Sequence, residues 1–253
     1  MARNLSIPGF NQKPKQSCSL FDIDPGSGAK QNAVFLRRPP EMTTPRPAQP
    51  VRLYRLALSG HSHRVELMLS LLGLAYEVVE VDMARGEHKK PPFLALNAFG
   101  QVPVIQDGDI TLADSNAILV YLEGRYAPGE WMPRDPVGAA RVQRWFSAAA
   151  GLLAFGPAFA RVINLFRRPD DPAPAQQRAK LLFDVMEQEL AATGWLAADR
   201  PTLADISLYS YTVTAPEGGV SLQPYPRVRQ WLAAVEALPG FVPIPRTPIG
   251  LAA

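Results

Sequence analysis

The stretch SGHSHRV, residues 59 to 65, places two of the chain's three histidines beside two serines. Ser59, His61, Ser62 and His63 could hold a metal, supply a nucleophile with its base, or form the turn of a binding loop. His61 and His63 are two apart, so they share a face in a strand and diverge in a helix or turn. No further paired His or Cys stands at ligand spacing, so no metal is expected. A Ser–His–Asp hydrolase needs an oriented base and an oxyanion hole, and the chain contains no G-x-S-x-G elbow. What remains is a hydroxyl at a strand–turn–helix junction, with Ser59 ending the strand and Ser62 beginning the helix. Ser62 can equally be nothing more than a cap. A second constellation, ADSNAIL, sets Asp114 and Ser115 at the start of a helix, where unpaired N–H groups and the helix dipole favour an anion. The same residues also suit a plain N-cap. In QVPV, Pro103 lies at the start of a strand, where its missing N–H is tolerated.

The elements around these residues follow from periodicity. VRLYRL alternates and reads as a strand, SHRVELMLSLLG as a helix ending at Gly73, and YEVVEVD as a second strand, together a βαβ unit. PPFLALN supplies a short helix, VPVIQD and DITLA form a hairpin through DGD, and DSNAILVYLEGRY is a helix capped by Asp114 or Ser115. The order βαβ, α, ββ, α predicts a thioredoxin-like domain over 51–126, a single four-stranded sheet with helices on both faces. APGEWMPRDP, residues 127 to 136, is a proline-rich linker. Beyond it, AARVQRWFSAAAGLLAF and AQQRAKLLFDVMEQELAA carry the three-to-four spacing of amphipathic helices, predicting an all-helical domain over 137–243 before a tail, 244–253. Thr202 followed three residues later by Asp205 approximates a capping box with Asp in the Glu/Gln place. In the last helix, Val228, Trp231, Val235 and Leu238 share a face, and LPG ends it.

Composition narrows the function classes. Residues 1 to 50 hold seven Lys/Arg against three Asp/Glu, a net of +4, and eight prolines; the rest holds nineteen against twenty, a net of −1. The basicity therefore belongs to an extension expected to lack a packed core, and a compact nucleic-acid-binding domain is not indicated. A salt-sensitive electrostatic role for that extension stays open. Apolar runs such as VELMLSLLGLA are broken by charge short of the ~20 residues of a bilayer span, so no membrane partner is expected. Residues 1 to 30 show no apolar core of a secretory signal. The lone Cys18 excludes an internal disulfide and fits a reducing, cytoplasmic compartment.

The run GEHKKPPFLALNAFGQVPVIQDGDITLADSNAILVYL, followed by RPTLADISLYSYT in a helical half, resembles the cytosolic glutathione transferase family of the serine type, theta-like or nu-like. The resemblance spans about 51 to 243, and GQVPV and LADSNAIL are its most specific parts. It implies a cis Val102–Pro103 bond that turns the Val102 backbone toward a peptide in the groove, a geometry suited to the tripeptide glutathione. It further implies that Ser115 holds the γ-glutamyl carboxylate with Asp114 near the amine. By the same resemblance Gln101 can pair with the ligand backbone, and His88 and Lys89 are similar to residues that meet the glycyl carboxylate, although a charge run of this kind is also commonly just a solvated face. Ser59 aligns best with the serine that donates to the glutathione sulfur, Ser62 being the reserve; His61, where relatives often carry Asn, contacts the sulfur or lines the loop.

Lowering a thiol from about 8.5 to about 6.5 takes about 2.7 kcal/mol. One hydrogen bond to a charged acceptor contributes about 1.5–3 kcal/mol and a helix N-terminus about 0.3–1, so no general base is required. The helical half should supply the pocket for a small hydrophobic electrophile, with Trp145, Phe155, Phe159 and Tyr209 as candidates, though aromatics at helical spacing also pack cores. The expected activity is conjugation of glutathione by a homodimer whose interface joins the first domain of one subunit to the helical domain of the other. Glutathione-dependent peroxide or disulfide reduction and a noncatalytic interaction module are the alternatives. The absence of cysteine from 51 to 253 weighs against thioredoxin-type exchange.

Overall fold

The computed structural model describes residues 46–248. Four strands, β1 (Val51–Arg55), β2 (Tyr76–Glu80), β3 (Val104–Asp107) and β4 (Ile110–Ala113), make one sheet in the order β2-β1-β3-β4. β1 pairs β2 in parallel, Leu53 opposite Val78, and this pair is bridged by helix α1 (Gly60–Leu71). β3 pairs β1 and β4 antiparallel, and the β3–β4 turn is the two-residue Gly108–Asp109 loop, with Gly108 at φ 57°.

Alternation along β3 divides the sheet's two faces. Ile105 enters the main core with Val65, Leu69 and Leu119, while Val104 faces Phe93 and Val81 on the other side. Phe93 comes from the short helix α2 (Pro91–Leu94), whereas α3 (Ser115–Tyr126) contributes to the main core. Helices therefore lie on both faces of the single sheet, as the order of elements predicts.

The remainder is helical: α4 (Pro136–Ala148), α5 (Phe159–Leu165), α6 (Ala173–Thr193), α7 (Leu203–Val213) and α8 (Pro226–Glu236). Every residue of α7 is buried, and its core cluster is continuous with that of α1 and β1, so sheet and helices share one interior. The capping box forms despite the aspartate: Asp205 Oδ2 accepts the Thr202 N–H at 2.8 Å, and Thr202 Oγ1 accepts from Ala204 N at 3.3 Å. Asp205 Oδ1 also accepts from Leu196 N and, at 2.8 Å, from Trp231 Nε1, so one buried carboxylate joins α7, α8 and the loop before them.

Two expectations need correction. The helix read over AARVQRWFSAAAGLLAF is not uniform: α4 runs into a π-helical stretch, Ala149–Ala158, broken at Gly156 (φ −104°, ψ −108°) ahead of Pro157, whose ring nitrogen has no hydrogen to donate. The resulting run Pro136–Leu165 is 30 residues, long and apolar enough by composition to cross a membrane, but half of its most apolar window is buried within the protein. Residues 244–248, read as tail, are anchored to the helical half at three points. Ile244 is buried, Arg246 Nη1 donates to Val213 O at 2.6 Å, and Thr247 bonds Glu217. The expected Pro-rich extension lies outside the described residues except for 46–50, where Arg46 Nη1 donates to Leu72 O and Gly73 O at the end of α1.

Candidate active site

The turn between β1 and α1 differs from the sequence reading by one exchange of roles. The strand ends at Arg55 and Ser59 is the N-cap of α1: with φ −82° and ψ 119°, its Oγ accepts the Ser62 N–H at 3.3 Å. Ser62 lies inside the first helical turn, fully buried, its Oγ accepting from Leu56 N at 3.4 Å. Ser62 is thus enclosed by protein, which weighs against its direct contact with a ligand. Ser59 is half-buried, and no acceptor among the described residues takes its hydroxyl hydrogen. The turn is fixed further by Ser59 N donating to Leu56 O and His63 N to Ser59 O, both at 2.9 Å.

His61 and His63 diverge, as helical spacing requires. His63 is buried, Nδ1 at 2.8 Å from Ser210 Oγ and Nε2 at 2.9 Å from Val242 O; it ties α1 to α7 and the C-terminal segment. Burial lowers its pKa to about 4. His61 packs edge-on against Tyr211, with ring centroids 5.0 Å apart, and its Nδ1 lies 3.4 Å from Ser115 Oγ. Burial first, and then the Arg64 charge, lower its pKa to about 3, so the ring is neutral near pH 7 and a weak base. Gly60 permits this approach, because a Cβ there would stand 2.8 Å from the Tyr211 ring. No cluster of three His, Cys, Asp or Glu suited to a metal occurs among the described residues.

Asp114, not Ser115, caps α3. Its Oδ1 accepts from Asn116 N and Ala117 N, both at 2.9 Å, leaving Oδ2 without a protein donor among the described residues. Its φ of 69° is unusual for a non-glycine residue and costs on the order of 1–3 kcal/mol. Ser115 is buried beside it, and Arg64 Nη1 donates to Ser115 Oγ at 3.1 Å and to Asn116 Oδ1 at 2.9 Å. The Ser115 hydrogen can therefore go to His61 or outward to a ligand. Arg64 is fully buried, and its Nε and Nη2 have no partner among the described residues; burial pulls its pKa down to about 10. A buried cation short of acceptors beneath a helix N-terminus favours an anion above it.

The third wall is the loop before β3. The Val102–Pro103 bond is cis, and no hydrogen bond among the described residues engages the Val102 N–H or C=O. Asn97 shapes this loop: its Nδ2 donates to Gln101 O at 2.8 Å and its Oδ1 accepts from Phe99 N. Gln101 is exposed. Lys89 is occupied, its Nζ donating to Phe99 O and Gly100 O at 3.1 and 3.2 Å, and His88 Nδ1 is buried without a partner.

The four aromatics expected in an electrophile pocket are not brought together. Trp145 is 2% exposed and donates from Nε1 to Leu196 O at 2.7 Å, beside a surface cavity of about 730 Å³ that includes Arg141 and Trp195 and nothing from the 59–65 loop. Tyr209 is core: its hydroxyl donates to Glu236 Oε1 at 2.9 Å, and burial raises its pKa. Phe155 and Phe159 border an apolar hollow of about 400 Å³ with Leu152 and Arg178, again without the 59–65 loop. Periodicity marks all four as helix-face residues but does not say which face meets the cleft. The aromatic that does reach the serine turn is Tyr211, two residues beyond Tyr209 and so on another face of α7. Arg64 and Asn97 were likewise missed, although a lone arginine inside the apolar run HRVELML was a usable signal.

These parts define a two-domain protein in which a thioredoxin-like half carries a serine-capped turn, a cis-proline loop and an anion-favouring helix terminus. The model of the glutathione S-transferase N-terminal domain matches residues 49–124, and that of the C-terminal domain residues 144–239. Glutathione S-transferase 3 of Zea mays is 36% identical, over 79% of this chain and 97% of its own length. A maleylacetoacetate isomerase of Pseudomonas aeruginosa is 35% identical, over 76% and 93%. The crystal structure of a glutathione S-transferase from Pseudomonas fluorescens superposes with a TM-score of 0.74 at 33% identity, covering 78% of this chain and all of the other. The chain belongs to the glutathione S-transferase family.

Proposed function

We propose that the protein binds glutathione, holds its sulfur as thiolate at Ser59 and transfers it to a small hydrophobic electrophile. The observation that carries this reading is the Ser59 hydroxyl, which accepts a helix-terminal N–H and keeps its own hydrogen free to donate. The sulfur loses its proton to solvent, and the thiolate then forms a bond to an electrophilic carbon while the displaced electron pair leaves on that carbon's substituent. Ser115, supported by Arg64, takes the γ-glutamyl carboxylate, and Asp114 Oδ2 the ammonium. The Val102 backbone pairs with the cysteinyl unit, and Gln101 with the ligand backbone. His88 serves the glycyl carboxylate, with Lys89 contributing only if it leaves its two carbonyls. His61 lines the loop.

Isomerisation of a maleyl compound is a second reading, favoured by the 35% identity to a protein of that name. Both chemistries begin from the same bound thiolate. Titration of glutathione by calorimetry near neutral pH, in two buffers of different ionisation enthalpy, tests it. Binding with release of nearly one proton supports thiolate formation; binding without release, or no binding, defeats it. An electrophile panel that includes a maleyl compound then separates the two reactions.

The proposal includes a homodimer, supported by the exposed Leu181 and Val185 on α6, exposed Phe155 nearby, and exposed Phe99 and Val120 on the sheet half. Sedimentation at micromolar concentration checks it. A cytoplasmic location, argued from the lone cysteine, is open to cell fractionation.

A further inference from the structure

Arg161 on α5 is fully buried, and it reaches from the helical half to the serine turn. Its Nη1 donates to Leu58 O at 2.5 Å, the carbonyl immediately before Ser59. Its Nε donates to Glu217 Oε2 at 2.7 Å. Glu217, in the turn after α7, accepts in addition from Thr247: the hydroxyl donates to Oε2 at 2.8 Å and the N–H to Oε1 at 3.2 Å. Asn164 Nδ2 holds the Glu217 main-chain carbonyl at 3.0 Å. An unbroken chain of charge-assisted bonds thus runs from the carbonyl before Ser59, through the helical half, to the C-terminal segment.

We propose that Arg161 is a positioning residue for the thiolate-holding serine, and that Glu217 and Thr247 make the C-terminal segment part of the same device. The inference rests on the Ser59 reading above. Leu58 O lies in the turn, outside the ladder of β1 and the helix of α1; the N–H of the same peptide, on Ser59, donates to Leu56 O at 2.9 Å, and Arg161 supplies the bond on the carbonyl side, so that the Leu58–Ser59 peptide plane is held from both edges. The Ser59 backbone follows from it, and with it the direction of the hydroxyl. Stability alone is a poor reason for such a pair, since a buried ion pair can often be exchanged for packed apolar residues at no loss. Arg161 even keeps one buried nitrogen, Nη2, without a partner. What the pair adds is a fixed distance between three segments that no apolar contact would set so tightly.

The test follows formation of bound thiolate by ultraviolet absorbance across pH, with kcat/KM alongside, in the full-length chain and in Arg161→Met, Arg161→Lys, Thr247→Val and Ser59→Ala. The other ionisable groups around the turn, His61, Arg64, Asp114 and Tyr211, stay in place in every variant. In Arg161→Met the midpoint of thiolate formation is expected to rise by about one pH unit. kcat/KM should fall about tenfold near neutrality, recovering at alkaline pH, with KM for glutathione within about threefold. Arg161→Lys should recover part of the loss, because a single ammonium can serve Leu58 O or Glu217 but not both in the same geometry. Thr247→Val should move the midpoint in the same direction by about a third as much. An unchanged midpoint in folded Arg161→Met, or an activity loss equal at all pH values, overturns the assignment of Arg161. An unchanged midpoint in Thr247→Val overturns the role of the C-terminal segment. If Arg161→Met does not fold, the double variant Arg161→Met, Glu217→Met removes both charges together and meets the same criteria. Ser59→Ala separates the two readings: a midpoint equal to wild type sinks the Ser59 reading, whereas a shift there without one in Arg161→Met sinks only the present proposal.

Discussion

Ser59 Oγ accepts the Ser62 N–H at 3.3 Å, so the serine that caps α1 is also the one whose hydroxyl hydrogen is free to act. Capping and the proposed contact with sulfur, which the sequence allows to be split between two serines, would then fall on one oxygen. The N–H donated to that oxygen strengthens the hydroxyl as a donor toward a sulfur anion.

Ser59→Ala is therefore expected to lower kcat/KM about 10- to 100-fold, the worth of one hydrogen bond to a charged acceptor, while the dissociation constant of glutathione changes by no more than a few-fold. Loss of the cap should cost a further ~1 kcal/mol of stability. Ser62→Ala, by contrast, should leave turnover near wild type. Steady-state kinetics and a denaturant titration on both variants decide it; equal turnover in Ser59→Ala and wild type removes Ser59 from the mechanism.

Ser115→Ala should behave the opposite way. Its hydroxyl accepts from Arg64, which leaves its hydrogen available to the proposed carboxylate, so the dissociation constant for glutathione is expected to rise about tenfold with turnover at saturation little changed. An unaltered dissociation constant by calorimetry rules the contact out.

Gly60→Ala should be destabilising by about 1–3 kcal/mol, because the new methyl meets the Tyr211 ring at 2.8 Å. Placing Leu at 211 should relieve most of that loss in the double variant, a coupling readable from a double-mutant cycle. Additive losses would mean that the ring is not what Gly60 accommodates.

Asp205→Ala removes the acceptor shared by Thr202, Leu196 and Trp231 and leaves buried donors unpaired. A loss of about 3 kcal/mol or more is expected in urea unfolding, enough to lower the yield of folded protein. A loss below about 1 kcal/mol would show that water replaces the carboxylate.

Stability should fall with acid through His61 and His63, both desolvated where α1 begins. Their pKa values are lowered by burial, to about 3 for His61 and about 4 for His63. In the unfolded chain both titrate near about 6.5, so below that pH the unfolded state binds more protons and is favoured. The contribution is complete above about 6.5 and is lost as pH falls toward the folded values, by up to about 1.4 kcal/mol per histidine per pH unit. Thermal unfolding between about pH 7 and about pH 5 should show a declining midpoint, and His63→Gln should decline less steeply. Parallel declines in the two proteins would remove His63 as a source.

Much of the fold was legible because its local patterns agree with one another. The alternation of VRLYRL, the DGD turn and the apolar run behind Asp114 each name an element without knowledge of what it packs against. The Thr202–Asp205 spacing approximates a capping box, and the reciprocal bonds form with the shorter carboxylate. The π-helical stretch escaped because an apolar, three-to-four-spaced sequence does not register a change of hydrogen-bond register, and only Gly156–Pro157 hinted at a break.

The sequence by itself determined the elements, their order and the residue types gathered at three loops, since these depend on side-chain period, turn chemistry and helix termini within a few residues of one another. The tertiary structure decided which of those residues meet at the β1–α1 turn. Ser59 rather than Ser62, and Tyr211 rather than Tyr209, follow from where α1 and α7 are rotated against each other, a packing outcome with no local signature. Arg64 beneath Ser115 and Arg161 behind Leu58 are contacts across 51 and 103 residues of chain: the first exists only once α1 and α3 pack on the sheet, the second only once the helical half closes on it.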